Sequence, residues 1–171
     1  VSAGLDSVAV RVPAHPLAQK FLAKVACPIA APSANPSEDI SPTTALHVLH
    51  SFLTVSSSDS LLVLDGGACE VGLESSVVDL TGEQTILLRP GGITDKIIET
   101  VIGKLTFAKN DDRTPRSPGM LSRHYAPSTP LRLNAVSVKE GEILLGFGPT
   151  SDSTQFNLSR TGSLVEAAAN L

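Results

Sequence analysis

A chain of 171 residues that is 42% hydrophobic and 18% charged can bury a core and is too apolar for a disordered segment. Its net charge of −4 excludes a broad basic surface for nucleic acid, and no apolar run approaches the roughly 20 residues of a membrane helix. With no Trp and one Tyr, the core has to be aliphatic. Cys27 and Cys69 lack any CxxC or His spacing, which fits buried or neutral thiols in a reducing, cytoplasmic compartment.

The chain opens on Val1 and runs at once into a strand-like segment, the pattern of a chain cut inside a domain. Ser7 to Val12 alternates, with Val8, Val10 and Val12 on one face and Ser7, Ala9 and Arg11 on the other, which predicts a strand ended by Pro13. His15-Pro16 then opens a predicted helix carrying Leu17, Phe21, Leu22 and Val25, stopped by Pro28. Ile29 to Ala31 reads as a short strand leading into the loop Pro32-Ser33-Ala34-Asn35-Pro36-Ser37. Ser41-Pro42 reads as an N-cap and first-turn proline for a helix reaching Leu53.

Leu61 to Asp65 reads as an apolar strand that ends in the turn Asp65-Gly66-Gly67. Ser75 to Leu80 and Thr85 to Arg89 predict a hairpin turning at Thr81-Gly82-Glu83. Pro90-Gly91-Gly92 closes it, and Thr94 caps a predicted helix that Gly103 stops. From Ala108 to Pro130 no apolar period survives, and prolines and charges predict a semi-rigid linker. Beyond it Leu131 to Leu133 and Ile143 to Phe147 read as strands, and Leu164 to Leu171 as the start of a helix. The expected fold class is α/β: a twisted, mixed open sheet with flanking helices, then a linker, then the start of a second, Rossmann-like α/β domain.

Four places have the chemistry to hold a ligand. Ala31 to Asn35, continued by Ser37 and Ser41, offers small hydroxyl and amide groups, and the helix start after Ser41 offers N–H groups that suit phosphate; an ordinary turn with a helix cap fits the same residues. Gly66-Gly67 through Gly72-Leu73-Glu74-Ser75-Ser76 permits close backbone approach, with Ser75 or Ser76 able to bond a carboxylate or phosphate; a glycine-rich hairpin loop is the plain alternative. Arg11, in an alternating valine strand, has to find an anion, either a ligand carboxylate or a protein Asp or Glu. Arg89 ends a strand beside glycines where a phosphate can approach. His15, His47 and His50 complete no metal set and read as structural, and no residue stands out as a general base. His124 and Tyr125 lie in Ser117 to Pro127, a segment with the make-up of either a spacer or a lid.

Together these segments resemble the threonylcarbamoyl-AMP synthases, the YrdC-like family, in its longer two-domain form. The resemblance is carried by Gly4 to Pro13, Ala31 to Asn35 with Ser41-Pro42-Thr43, Asp65-Gly66-Gly67, Gly72 to Asp79, Leu88 to Gly91 and Ser117 to Pro127, in that order. Asn157-Leu158-Ser159 and Glu166-Ala167-Ala168 look like the early part of the second domain. The resemblance implies residues 1–107 as the later part of the catalytic domain, 108–130 as the linker and 131–171 as the beginning of the second domain.

The resemblance further implies an L-threonylcarbamoyladenylate synthase, joining L-threonine, bicarbonate and ATP, with Mg2+ accompanying ATP and pyrophosphate released. Other tRNA-modification proteins would then use the product. By motif, Arg11, Ala31 and Ser75 would hold threonine, while Ser7, Ser33, Asn35, Ser41, Arg89 and Tyr125 would hold ATP. Glu38 stands where the family usually has glycine, and Ser7 and Ser76 where threonine is common. Two rivals remain open at this stage. An RNA-binding YrdC-like module without catalysis lacks the basic charge and stacking aromatics it would need. A carbamoyl-transfer module of the related maturation proteins would bring zinc-finger-like and acylphosphatase-like segments that this stretch does not contain.

Overall fold

A computed structural model describes residues 4–36, 39–53, 61–108, 129–150 and 156–171. The predicted linker and its Ser117 to Pro127 segment therefore fall, apart from its ends, outside the described residues, as does Glu38.

Local signals in the sequence set the helix boundaries. Helix α1, Pro16–Val25, starts where His15 adopts an extended conformation and its ring accepts the Leu17 N–H, with the proline supplying the fixed first-turn φ. It ends at Ala26, whose left-handed backbone (φ 54°) returns an N–H to the Leu22 carbonyl. Helix α2, Ala45–Leu53, begins later than Ser41-Pro42 predicts. Thr44 is the residue at its start: its hydroxyl accepts the His47 N–H and its carbonyl the Val48 N–H. The Ser41 side chain is engaged elsewhere.

Strands β1, Val77–Asp79, and β2, Ile86–Arg89, form the expected antiparallel hairpin. Asp79 organises its turn by accepting both the backbone N–H and the hydroxyl of Thr81. The register steps from Val77↔Arg89 to Val78↔Leu87, so Leu88 is an extra residue opposite the β1 ladder. Such a bulge alters the direction in which the flanking side chain, here Arg89, leaves the strand. Helix α3, Asp95–Ile102, follows with Thr94 as N-cap, Asp95 in its first turn and Gly103 (φ 82°) as its stop. It carries the chain back to β3, Thr106–Phe107, which pairs parallel to β2. The sheet is thus mixed and open, in the order β1-β2-β3, as the α/β expectation required.

In the remaining segment β4, Leu145–Gly146, and β5, Phe156–Asn157, form a two-stranded parallel sheet, and α4, Leu164–Ala169, follows. Ser163 caps α4, and the Glu166 carboxylate accepts from the hydroxyls of Thr161 and of the buried Ser159. The short strand β4 lies within the expected Ile143 to Phe147, while β5 and β3 were not foreseen.

Four other expected strands are corrected. Ser7 to Val12, Ile29 to Ala31 and Leu61 to Asp65 are not strands, and neither is Leu131 to Leu133. A strand exists only where a second backbone completes its ladder, and among the described residues none pairs with these segments. Their apolar side chains lie at the surface, with Val10 and Val12 each 84% exposed. Among the described residues the buried apolar side chains are Leu87 at the centre of the sheet, Leu105 before β3, and Ala167 on α4. Cys27 and Cys69 are free and exposed, which corrects the option of buried thiols.

The segment before β4 contains an acid-sensitive pair. Arg132 donates from Nε and Nη2 to the two oxygens of Glu142, which also accepts the Lys139 N–H. Hydrogen bonding from Arg132 first, and from Lys139 next, lowers the Glu142 carboxyl from 4.5 to about 2. A depressed carboxyl stabilises the fold above its ordinary value and loses that contribution as pH falls through its folded value. Acid titration followed by circular dichroism should therefore show stability declining between about pH 4.5 and 2, with Glu142→Gln shallower over that window. An identical profile for the variant would contradict the pairing.

Candidate active site

Arg89 leaves β2 beside the bulge, and a guanidinium there requires an anion. It finds Glu74. Arg89 Nη1 donates to Glu74 Oε2 at 2.6 Å, in a pair whose side chains are only 16% and 25% exposed. The other Glu74 oxygen, Oε1, accepts the Ser41 hydroxyl at 2.9 Å. Arg89 also donates from Nε and Nη2 to the Ser75 carbonyl, at 3.1 and 3.0 Å. One carboxylate therefore joins the segment before α2, the Gly72 to Ser76 loop and the end of β2.

The loop is held on several sides. Gly92 N–H donates to the Glu74 carbonyl, and the Ser76 hydroxyl donates to the Ile93 carbonyl at 2.6 Å. Gly91 lies so close that a Cβ there would overlap the backbone of Glu74, Ser75 and Ser76. Gly72 meets the last turn of α4 in the same way, against the backbone of Ala168 and Ala169. The glycines of this motif are thus close-packing positions for neighbouring backbone.

Of the expected ligand residues, Ser41, Ser75 and Arg89 are brought together. Arg11, Ser7, Ala31 and Ser33 are exposed, and no hydrogen bond among the described residues ties them to that cluster. Asn35 uses its amide nitrogen to hold its own loop, donating to the carbonyls of Pro36 and Asp39, while its buried Oδ1 has no hydrogen-bond partner among the described residues. Tyr125 lies outside the described residues. His15 is structural, as expected: its Nδ1 accepts the Leu17 N–H, and its Nε2 sits 3.2 Å from the Gly66 carbonyl, joining α1 to the Asp65-Gly66-Gly67 turn. A cavity of about 160 Å³ lies between that turn and the start of α2, lined by Pro42 to Ala45, Val63 to Gly67 and Cys69 among others. It adjoins the Ser41 segment, but Arg11, Ser33, Ser75 and Arg89 do not line it.

Glu74 is the residue that sequence reasoning overlooked. Val77 is opposite Arg89 in the hairpin, so the acid three positions before Val77 lies within an arginine's reach. That register, with its step at Leu88, is a property of the folded hairpin and was not legible in the sequence.

The mixed open sheet with its flanking helices defines an α/β fold in which three loops meet at Glu74. Two family models divide the chain: the one described as "Telomere recombination", covering Sua5, YciO and YrdC proteins, matches residues 1–91, and the one described as "Threonylcarbamoyl-AMP synthase, C-terminal domain" matches residues 93–171. The chain belongs to the Sua5/YciO/YrdC family. It is 44% identical over 138 residues to a threonylcarbamoyl-AMP synthase of Bacillus subtilis (strain 168), covering 78% of this chain and 38% of the relative. It is 46% identical over 133 residues to one from Pyrococcus abyssi (strain GE5 / Orsay), covering 75% and 38%. The crystal structure of P. abyssi Sua5 complexed with L-threonine superposes with a TM-score of 0.77 at 36% identity, over 99% of this chain and 54% of that one. The chain thus spans less than two-fifths of those curated relatives and about half of that solved structure. Among the described residues no helix is long and apolar enough to cross a membrane.

Gly91→Ala should lower stability by about 1–3 kcal/mol, because backbone and not a flexible side chain fills the space. Gly82→Ala, which meets nothing within 4 Å, should be neutral or slightly stabilising. Thermal unfolding of both variants checks this, and equal midpoints would contradict the packing described.

Proposed function

We propose that this chain is part of an L-threonylcarbamoyladenylate synthase, which condenses L-threonine, bicarbonate and ATP and releases pyrophosphate. The observation that carries the assignment is the convergence of Ser41 and Arg89 on Glu74, with Arg89 also donating to the backbone carbonyl of Ser75. It sets a residue expected at threonine directly beside two expected at ATP. The printed names of the Bacillus and Pyrococcus relatives, and the L-threonine in the Pyrococcus complex, support the same substrates.

In this mechanism the threonine amine attacks CO2 with loss of a proton, or bicarbonate with loss of water, to give a carbamate. A carbamate oxygen then attacks the α-phosphate of ATP, and pyrophosphate leaves. The protein's contribution is alignment and charge compensation. The Arg11 guanidinium matches the threonine carboxylate in a bidentate geometry. Ser75 orients the amino acid from the loop that Arg89 holds. Ser7, Ser33, Asn35 and Arg89 take the nucleotide with Ser41, and Tyr125 reaches it from the 108–130 segment. Mg2+ would accompany ATP as part of the substrate, where it would neutralise phosphate charge, and it would need no dedicated protein cage. Residues 1–107 then belong to the catalytic domain and 131–171 open the second one. The product passes to cytoplasmic tRNA-modification proteins.

In the full-length protein, Arg11→Ala and Ser75→Ala should each weaken threonine binding about tenfold or more, as loss of a charged or buried hydrogen bond does. ATP affinity should change far less. Calorimetric titration of each ligand measures this, and unchanged threonine affinity in both variants would defeat the assignment.

A further inference from the structure

Within the function proposed above, we infer that Glu74 is a positioning residue for ATP: its carboxylate orients the Arg89 guanidinium and fixes the polarity of the Ser41 hydroxyl.

The two Glu74 oxygens have separate partners. Oε2 takes Arg89 Nη1 at 2.6 Å and Oε1 takes the Ser41 hydroxyl at 2.9 Å. With Nε and Nη2 both aimed at the Ser75 carbonyl, three nitrogens of the guanidinium are engaged and its plane is set. A planar fork whose orientation is fixed before ligand arrives loses less freedom on binding phosphate than one on an unanchored stem. Both side chains of the pair are less than a third exposed, so the interaction is only partly screened by water.

A serine hydroxyl has one O–H to give. Ser41 gives it to Glu74. What Ser41 then offers a ligand is its oxygen lone pairs. Those accept from an N–H or O–H, such as a ribose hydroxyl or the adenine amine, and repel a phosphate oxygen. Glu74 thereby sorts two ATP-binding groups by chemistry: Arg89 for the anionic part and Ser41 for the nucleoside part. It also offsets the charge of Arg89, so that Arg89 supplies direction more than net attraction.

The test is steady-state pyrophosphate release by the full-length enzyme, with KM for ATP and for threonine measured separately. Glu74→Ala should raise the ATP KM about tenfold while the threonine KM stays within about threefold, a loss typical of one charged hydrogen bond. Glu74→Ala combined with Arg89→Ala should be no worse than Arg89→Ala alone by more than about twofold. Glu74→Gln keeps an acceptor for Ser41 but presents an amide to Arg89, so it should share the defect. Glu74→Asp should recover part of the activity. Gln and Asp also serve if the alanine variant does not fold, as thermal unfolding would reveal.

A purely structural role would raise both KM values together, because Ser75 adjoins Glu74, and that result would overturn the inference. So would an unchanged or lowered ATP KM, or additive effects in the double variant. A wild-type enzyme that releases no threonine-dependent pyrophosphate would overturn the proposed function as well. If wild type is active and Arg89→Ala loses ATP while the Glu74 variants do not, only the role of Glu74 fails.

Discussion

The Glu74 carboxylate is the point at which three segments of this structure meet. Its two oxygens draw Ser41 and Arg89 to one point, and Arg89 in turn holds the Ser75 carbonyl. Three segments distant in sequence are joined there by polar bonds, not by a thick hydrophobic core. Among the described residues only Leu87, Leu105 and Ala167 are buried apolar side chains. Polar groups taken out of water have to be satisfied, and each of these groups satisfies another.

Close backbone approach makes that arrangement possible. Gly91 presses on the backbone of residues 74–76, and Gly72 on that of α4. The loop carrying Glu74 and Ser75 therefore packs against the end of the hairpin and against the segment matched by the C-terminal family model. Helix α4 thus touches the loop at Gly72 through the backbone of Ala168 and Ala169.

What the sequence made legible was local. Pro16, Thr94 and Gly103 act within one turn of themselves, and α1 and α3 follow them closely. The Asp79–Thr81 turn likewise fixes the hairpin from within. Strands that depend on a distant partner were misjudged in both directions. The alternating valines of Ser7 to Val12 read as a strand and are not one, while β3 and β5 exist as pairs of residues too short to leave a pattern. Ser41 shows the same division. It has the chemistry of a cap, yet Thr44 starts α2 and Ser41 serves Glu74 across 33 residues. For the site, motif resemblance named Ser75 for threonine and Ser41 and Arg89 for ATP, and the structure places these three side by side. Glu74, lying inside the same motif, was given no role, because its partners Arg89 and Ser41 are 15 and 33 residues away and meet it only in the fold.

The central claim is that Glu74 and Arg89 act as one unit. A double-mutant cycle on the unfolding free energy of the ligand-free, full-length protein measures this, using Glu74→Ala, Arg89→Ala and the pair. The two residues are in direct contact, so the cycle should return a coupling energy of about 1 kcal/mol or more. Effects that add to within about 0.3 kcal/mol would mean the two side chains are independent, and would contradict it.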